Sequence, residues 1–199
     1  MISAIVAIDK NNGIGKNGDL LFSIPEDMNR FVELTNGKRI VMGRKTFDSL
    51  PKALPNRVNM IITSNDKKVS ENSLKLLECI RGAKNLTTKE EVEDTFKKLV
   101  DENNAMEVWY GMSAIKNYLE NEIQYPSNDE IFIIGGGKIY RELLTYCDKV
   151  YLTKYDKEYD ADTHFPVLSD KHWKVTEESE VKKYDGYNYQ FITYERIEQ

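Results

Sequence analysis

The stretch "SIPEDMNRF", Ser23 to Phe31, sets two acids side by side, and one of them is placed for chemistry. Pro25 suits the first turn of a helix, where its missing N–H leaves no bond unmade. Ser23 followed three residues on by Glu26 predicts a capping box. On that helix, predicted over Pro25 to Leu34, the residues Ile24, Met28 and Phe31 fall on one stripe. Asp27 lies within the stripe, while Glu26, Asn29, Arg30 and Glu33 point the other way. A carboxylate among apolar side chains must gain a partner or hold its proton more tightly. Two readings follow. Asp27 is an acid satisfied by internal donors, or it hydrogen-bonds adjacent N–H groups of a ligand and handles a proton.

Three strand-to-loop junctions offer places for a second molecule, since ligands of open α/β sheets lie beyond the carboxyl ends of strands. "IVMGRKT" puts Gly43, Arg44, Lys45 and Thr46 between a strand and a helix, a setting that favours phosphate. "MIITSN" ends its strand with the hydroxyls of Thr63 and Ser64. "IIGGGKIY" inserts three glycines before a helix, so the backbone can approach a ligand closely and take unusual dihedrals. A fourth stretch, "GIGKNG" from Gly13 to Gly18, has the spacing GxGxxG. That fingerprint needs a helix directly behind it. Asp19-Leu20-Leu21-Phe22 and then Pro25 follow instead, so the stretch reads as a flexible loop.

These groups need a scaffold. "ISAIVAI", "KRIVMG", "RVNMIITS", "EIFIIGGG" and "KVYLTKYD" read as buried strands, with "LKLLECI" as a further one. Helices are predicted for "RKTFDSL", from the box Thr88 to Glu91, from a cap at Ser113 with Ile115, Tyr118 and Leu119 inward, and for "KIYRELLTYC". The tail reads as a hairpin turning at Asp185-Gly186. Alternating strands and helices imply one α/β domain, a mostly parallel twisted sheet flanked by helices with a C-terminal antiparallel hairpin. At 199 residues, 40% hydrophobic and 31% charged, the chain can bury a sizeable core. Its net charge of −5 argues against a nucleic-acid surface, and no apolar run reaches membrane-spanning length. The N-terminus lacks a signal-peptide pattern. Cys79 and Cys147 form no CxxC and suggest reduced thiols in a cytoplasmic protein. His164 and His172 have no metal-ligand pattern, so no metal is expected.

Taken in order, "ISAIVAID", "GIGKNGDLLFSIPEDMNRF", "IVMGRKTFDSLPKALPNR", "IIGGGKIY" and "DTHFP" make the chain resemble the dihydrofolate reductase family over most of its length. The resemblance implies hydride transfer from NADPH to 7,8-dihydrofolate. By it Asp27 matches the family's ionisable pocket side chain, which binds the 2-amino group and N3 of the pterin and promotes protonation of N5. Thr153 matches the threonine supporting that carboxylate. Ile5, Val6, Ala7, Phe31, Leu50, Leu54 and Ile134 match pterin and benzoyl contacts, and Arg57 the arginine that takes the glutamate tail. Arg44, Lys45, Thr63 and Ser64 match the pocket for the adenosine 2′-phosphate. Ala7, Ile14, Gly43, Thr46, Gly137, Lys138, Ile139 and Tyr140 match cofactor contacts, and Gly135-Gly136 a pair joined by a cis peptide bond. The loop from Gly13 to Phe22, including Leu20, matches a lid that closes over the nicotinamide. Folate-like inhibitors would bind the same pocket, and a monomer is expected.

Two departures stand out. Leu21-Phe22 replaces the Pro-Trp of most members, which removes an indole donor near the pterin. The chain between Asn65 and Glu130 exceeds that of compact members and implies a helical surface insertion within 81–130. Asp27 together with Arg57 favours a substrate with a glutamate tail over another heterocycle, such as that of a ribosylaminopyrimidine reductase.

Overall fold

The run Ile2–Ile8 is apolar at every position but Ser3, which suits a strand covered on both faces. It forms β1, parallel to β7 (Ile131–Gly135) on one side and to β8 (Lys149–Tyr155) on the other. Beyond β7 the sheet continues through β4 (Arg39–Gly43), β5 (Val58–Thr63) and β6 (Met106–Tyr110), all parallel. Beyond β8 it turns antiparallel with β12 (Tyr187–Arg196), which pairs in turn with β10 (Trp173–Glu178) and β11 (Lys182–Tyr184). The computed structural model describes residues 1–64, 106–124 and 129–197.

Alternation along each strand divides the core between two faces. Ile5, Ile40, Met42, Ile61 and Phe132 point to one face, where α1 (Pro25–Thr35) and α2 (Arg44–Ser49) supply Phe31, Leu34 and Phe47. Ala4, Val6, Val41, Met60, Ile62, Ile131 and Ile133 point to the other. That face is covered by α3 (Met112–Gln124) and α4 (Gly137–Leu143), through Ile115, Leu119, Ile139, Tyr140 and Leu143. The expected terminal hairpin is present. Asp185 and Gly186 have φ of 47° and 81°, the left-handed pair of a tight turn that fits strand twist.

Three local expectations are corrected. Ser23 caps nothing: α1 begins at Pro25 with Ile24 as an extended N-cap and no side-chain cap bond. Glu26 is therefore too early in the helix for a capping box, and its carboxylate instead accepts from Lys182 and, at 2.5 Å, from the Tyr189 hydroxyl. The stretch from Gly13 is no plain loop. It forms β2 (Gly13–Lys16) and β3 (Asp19–Leu20), turning at Asn17-Gly18 and pairing with β9 (Thr163–His164). The residues after Tyr110 do not form a surface helix capped by Ser113. The helix begins at Met112, one residue before the expected cap; Ile115 and Leu119 face inward as expected and are fully buried, so α3 is the core-forming crossover from β6 to β7 rather than a surface addition.

The strand expected at "LKLLECI", the helix expected from Thr88, Cys79 and residues 81–105 of the expected insertion lie outside the described residues. Cys147 is buried and free, its thiol pushed upward by burial. Among the described residues no helix is long and apolar enough to cross a membrane.

Candidate active site

On α1 the inward residues are Asp27, Arg30, Phe31, Leu34 and Thr35, following Ile24 at the N-cap. Asp27 is inside the buried face as its phase predicts. Met28 is not: it is 40% exposed on the flank. Arg30 is turned inward rather than to water, over the rings of Tyr151 and Phe191. Tertiary contacts, rather than the apolar spacing, set the rotation of this short helix.

Asp27 meets β8. The Thr153 hydroxyl donates to Asp27 Oδ1 at 2.5 Å, and Thr153 is itself 1% exposed. Ala7 on β1 and Phe191 on β12 are the register partners of Thr153 on either side. Burial raises the Asp27 carboxyl above its ordinary range, while the Thr153 bond and the positive charge of Arg30 oppose the rise. The result is an acid disposed to hold a proton.

An apolar wall leads away from Asp27. Ile5, Phe31, Leu50, Leu54 and Ile134 belong to one cluster over β1, β4 and β7, and all but Ile5 are half-buried. Arg57 closes its far end, with its guanidinium carbon 5.7 Å from the centroid of the Phe31 ring. Arg57 is 6% exposed and donates to three neutral oxygens: Thr35 Oγ1 at 2.8 Å, the Pro55 carbonyl at 2.5 Å and the Val32 carbonyl at 3.3 Å. No described carboxylate neutralises it, and burial disfavours its charged form. Val6 departs from the sequence expectation: its side chain lies in the core of the opposite face.

The carboxyl ends of β7, β4 and β5 are adjacent, with Met42 opposite Gly135 and Gly43 opposite Ile62. Gly135-Gly136, Arg44-Lys45-Thr46 and Thr63-Ser64 therefore fall in one row. Neither α2 nor α4 has a side-chain cap at its start, so no such bond occupies their first-turn N–H groups. Arg44 is paired with Asp48 at 2.5 Å, while Lys45, Ser64 and Lys138 are exposed. The Gly135–Gly136 bond is cis, as expected. Gly135 has φ of 113°, and a Cβ there would come within 2.9 Å of the Tyr140 ring, which explains that glycine without a ligand. Ile139 and Tyr140 present side chains to the core, and the Tyr140 hydroxyl donates to the Ile5 carbonyl at 2.7 Å. Ile14 packs against the same core from β2.

β9, the third strand of the β2–β3 ribbon's sheet, lies against the start of α4 at Gly137, and Leu20 is 73% exposed at the ribbon's end. Phe22 turns away into an aromatic group, 4.9 Å from the Tyr155 ring and 5.7 Å from that of Tyr159. The sequence reading missed the anchor of this ribbon. Asp9 is fully buried and accepts backbone N–H bonds from Asn11, Gly13 and Tyr159. Its one readable signal is position: an acid ending a buried strand ahead of a glycine loop.

A parallel sheet that carries a half-buried acid, its carboxyl raised by burial, beside a row of phosphate-type donors is the arrangement of a dinucleotide-dependent oxidoreductase. Comparison with known proteins makes this specific. A sequence profile of the dihydrofolate reductase family matches residues 1–96 and 97–196. The dihydrofolate reductase of Bacillus subtilis (strain 168) is 31% identical over 199 residues, covering 98% of this chain and 95% of the relative. That of Staphylococcus haemolyticus is 33% identical, covering 98% and 96%. Among solved structures, dihydrofolate reductase from Enterococcus faecalis complexed with NADP(H) and RAB-propyl has a TM-score of 0.72 at 25% identity, covering 100% of this chain and 97% of that one. The chain belongs to the dihydrofolate reductase family.

Proposed function

We propose that the protein reduces 7,8-dihydrofolate to tetrahydrofolate with NADPH, and that Asp27 is the acid through which it handles the proton. The observation that carries this reading is the Thr153–Asp27 bond at one end of a half-buried apolar wall and, at the other, Arg57, which no described carboxylate neutralises. A flat heterocycle with adjacent N–H groups suits the acid, an aromatic ring suits the wall, and a carboxylate suits the guanidinium.

When bound, NADPH supplies the hydride. The donor row fits such a cofactor: Arg44, Lys45, Thr63 and Ser64 would take the 2′-phosphate, and the first turns of α2 and α4 the pyrophosphate. Gly43, Thr46, Gly135, Gly136, Gly137 and Lys138 would line it. Ile139 and Tyr140 support this turn from the core, and Ile14 and Ala7 lie toward the nicotinamide end. Asp27 hydrogen-bonds the pterin 2-amino group and N3 and favours a proton at N5. Leu20 ends a ribbon that would exclude water, and Phe22 anchors the chain just beyond it on Tyr155 and Tyr159. We read the chain as a cytoplasmic monomer that does not bind nucleic acid. The test is loss of NADPH absorbance on adding dihydrofolate, with NADH run in parallel. Rapid loss with NADPH and slow loss with NADH is expected; no dihydrofolate-dependent oxidation overturns the reading.

A further inference from the structure

Arg30 follows Asp27 by three residues and lies on the same inward side of α1. Its guanidinium carbon is 4.7 Å from the centroid of the Phe191 ring and 5.6 Å from that of Tyr151. Those rings flank Thr153. Tyr151 precedes it by two residues on the same face of β8, and Phe191 is its partner on β12. The cation and the Thr153–Asp27 bond thus share one patch of sheet. Arg30 Nη1 is buried without a hydrogen-bond partner, and the guanidinium forms no ion pair with a described residue. A partly buried charge left unneutralised keeps its field, because little water stands between it and its neighbours.

The surrounding groups leave Asp27 as the acid this field acts on most directly. Tyr151 is kept protonated by burial, as are Tyr140 on α4 and Tyr189 on β12, the last pushed up to about 12. Glu26, next to Asp27, is occupied by Lys182 and Tyr189. Glu177 on β10 faces Arg30 more remotely, is exposed, and accepts from Thr193 Oγ1 at 3.2 Å.

We propose that Arg30 is a positioning residue for the reduction, a cation clamped by aromatic rings that acts through Asp27 by favouring its charged form. Burial drives Asp27 the other way and prevails, while Arg30 and Thr153 limit the rise. The inference rests on the role proposed for Asp27 in dihydrofolate reduction.

The test follows the carbon-13 shift of the Asp27 carboxyl against pH in the ligand-free protein, with the signal assigned by its loss in Asp27→Asn. In Arg30→Gln and Arg30→Met the midpoint should rise by about half a pH unit or more. Arg30→Lys, which keeps the charge, should stay close to the wild type. Two neutral variants of different polarity are used so that one can decide if the other fails to fold. A midpoint unmoved in the folded neutral variants overturns the proposal, whatever the enzyme reduces. The pH profile of kcat/KM for dihydrofolate is measured beside it. A profile that moves up with the carboxyl midpoint supports both roles. A midpoint that moves while the profile does not removes Asp27 from the proton step and with it the proposal for Arg30, even though dihydrofolate is reduced.

Discussion

Thr153 donates its hydroxyl to Asp27 at 2.5 Å across 126 residues of sequence, and so ties α1 to the middle of the sheet. The donor is a buried side chain on β8, a strand paired on both sides. The acid is therefore aimed by the rigid sheet rather than by a loop. The bond stabilises the ionised form while burial opposes it and prevails, so the balance leaves the carboxyl above its ordinary range.

That balance has a consequence for stability. The Asp27 carboxyl in the folded chain lies above its ordinary value of 3.8. Between that value and the raised one the folded state binds a proton that the unfolded state has released, so stability falls as pH rises through the window and stays lowered above it. Asp27→Asn removes the effect. Its Tm should exceed that of the wild type at pH 7, and the gap should close below about pH 4. Dihydrofolate turnover should fall by about 10²- to 10⁴-fold, with NADPH affinity nearly unchanged. Calorimetry across pH and steady-state kinetics check both; a Tm gap that does not vary with pH would mean that burial of this charge is not its source.

Arg57 spends three of its five N–H groups on Thr35, Pro55 and Val32. One N–H on each terminal nitrogen is left, the fork that a carboxylate accepts. Arg57→Lys cannot present it. KM for dihydrofolate should rise about tenfold or more, with kcat little changed. The same pterin without its glutamate tail should show no such rise. Equal losses with both substrates would place the tail elsewhere.

The parallel strands were legible because each is an apolar run, and the final hairpin because Asp185-Gly186 admits positive φ. Asp27 was legible from helical phase alone. Its neighbour Arg30 was not, since its inward turn comes from Tyr151 and Phe191, far along the chain. The β2–β3 ribbon was missed for the same reason: its third strand, β9, lies about 150 residues on, at Thr163–His164. β6 hid because five residues with a glutamate among them carry little period, and so α3 looked like an addition rather than a crossover. The glycines stood out in the sequence as a place for a ligand; packing supplies a separate reason at Gly135, where a Cβ would meet the Tyr140 ring.

Asp9 should prove a stability residue of the ribbon. It is 0% exposed and its two oxygens accept from Asn11, Gly13 and Tyr159 at 2.8, 2.6 and 3.0 Å. Asp9→Ala leaves three N–H groups without that partner and should cost about 3 kcal/mol or more in urea unfolding. Asp9→Asn keeps one acceptor oxygen and should lose less. Faster amide exchange at both Gly13 and Tyr159 in Asp9→Ala, and at one of the two in Asp9→Asn, would locate the loss; exchange unchanged at both in Asp9→Ala would show that Asp9 does not hold the ribbon.

Gly137 and Thr163 bring the glycine turn against β9, the strand that pairs with the β2–β3 ribbon. A Cβ at Gly137 would stand 2.7 Å from Thr163 Cγ2 and 3.3 Å from the His164 carbonyl, so α4 and β9 approach as closely as a missing side chain permits. Gly137→Ala gains about 1 kcal/mol of helix propensity at most. The clash should outweigh that gain and leave a net loss of about 1–3 kcal/mol. Thr163→Ser removes the offending methyl and keeps the hydroxyl that donates to Asp162 at 2.8 Å. In the Thr163→Ser background the same glycine substitution should therefore cost less than half as much. A double-mutant cycle on urea midpoints measures the coupling. Additive losses would show that the His164 carbonyl, not the Thr163 methyl, sets the spacing. A coupled pair that also slows dihydrofolate turnover would tie the spacing of β9 and α4 to the reaction.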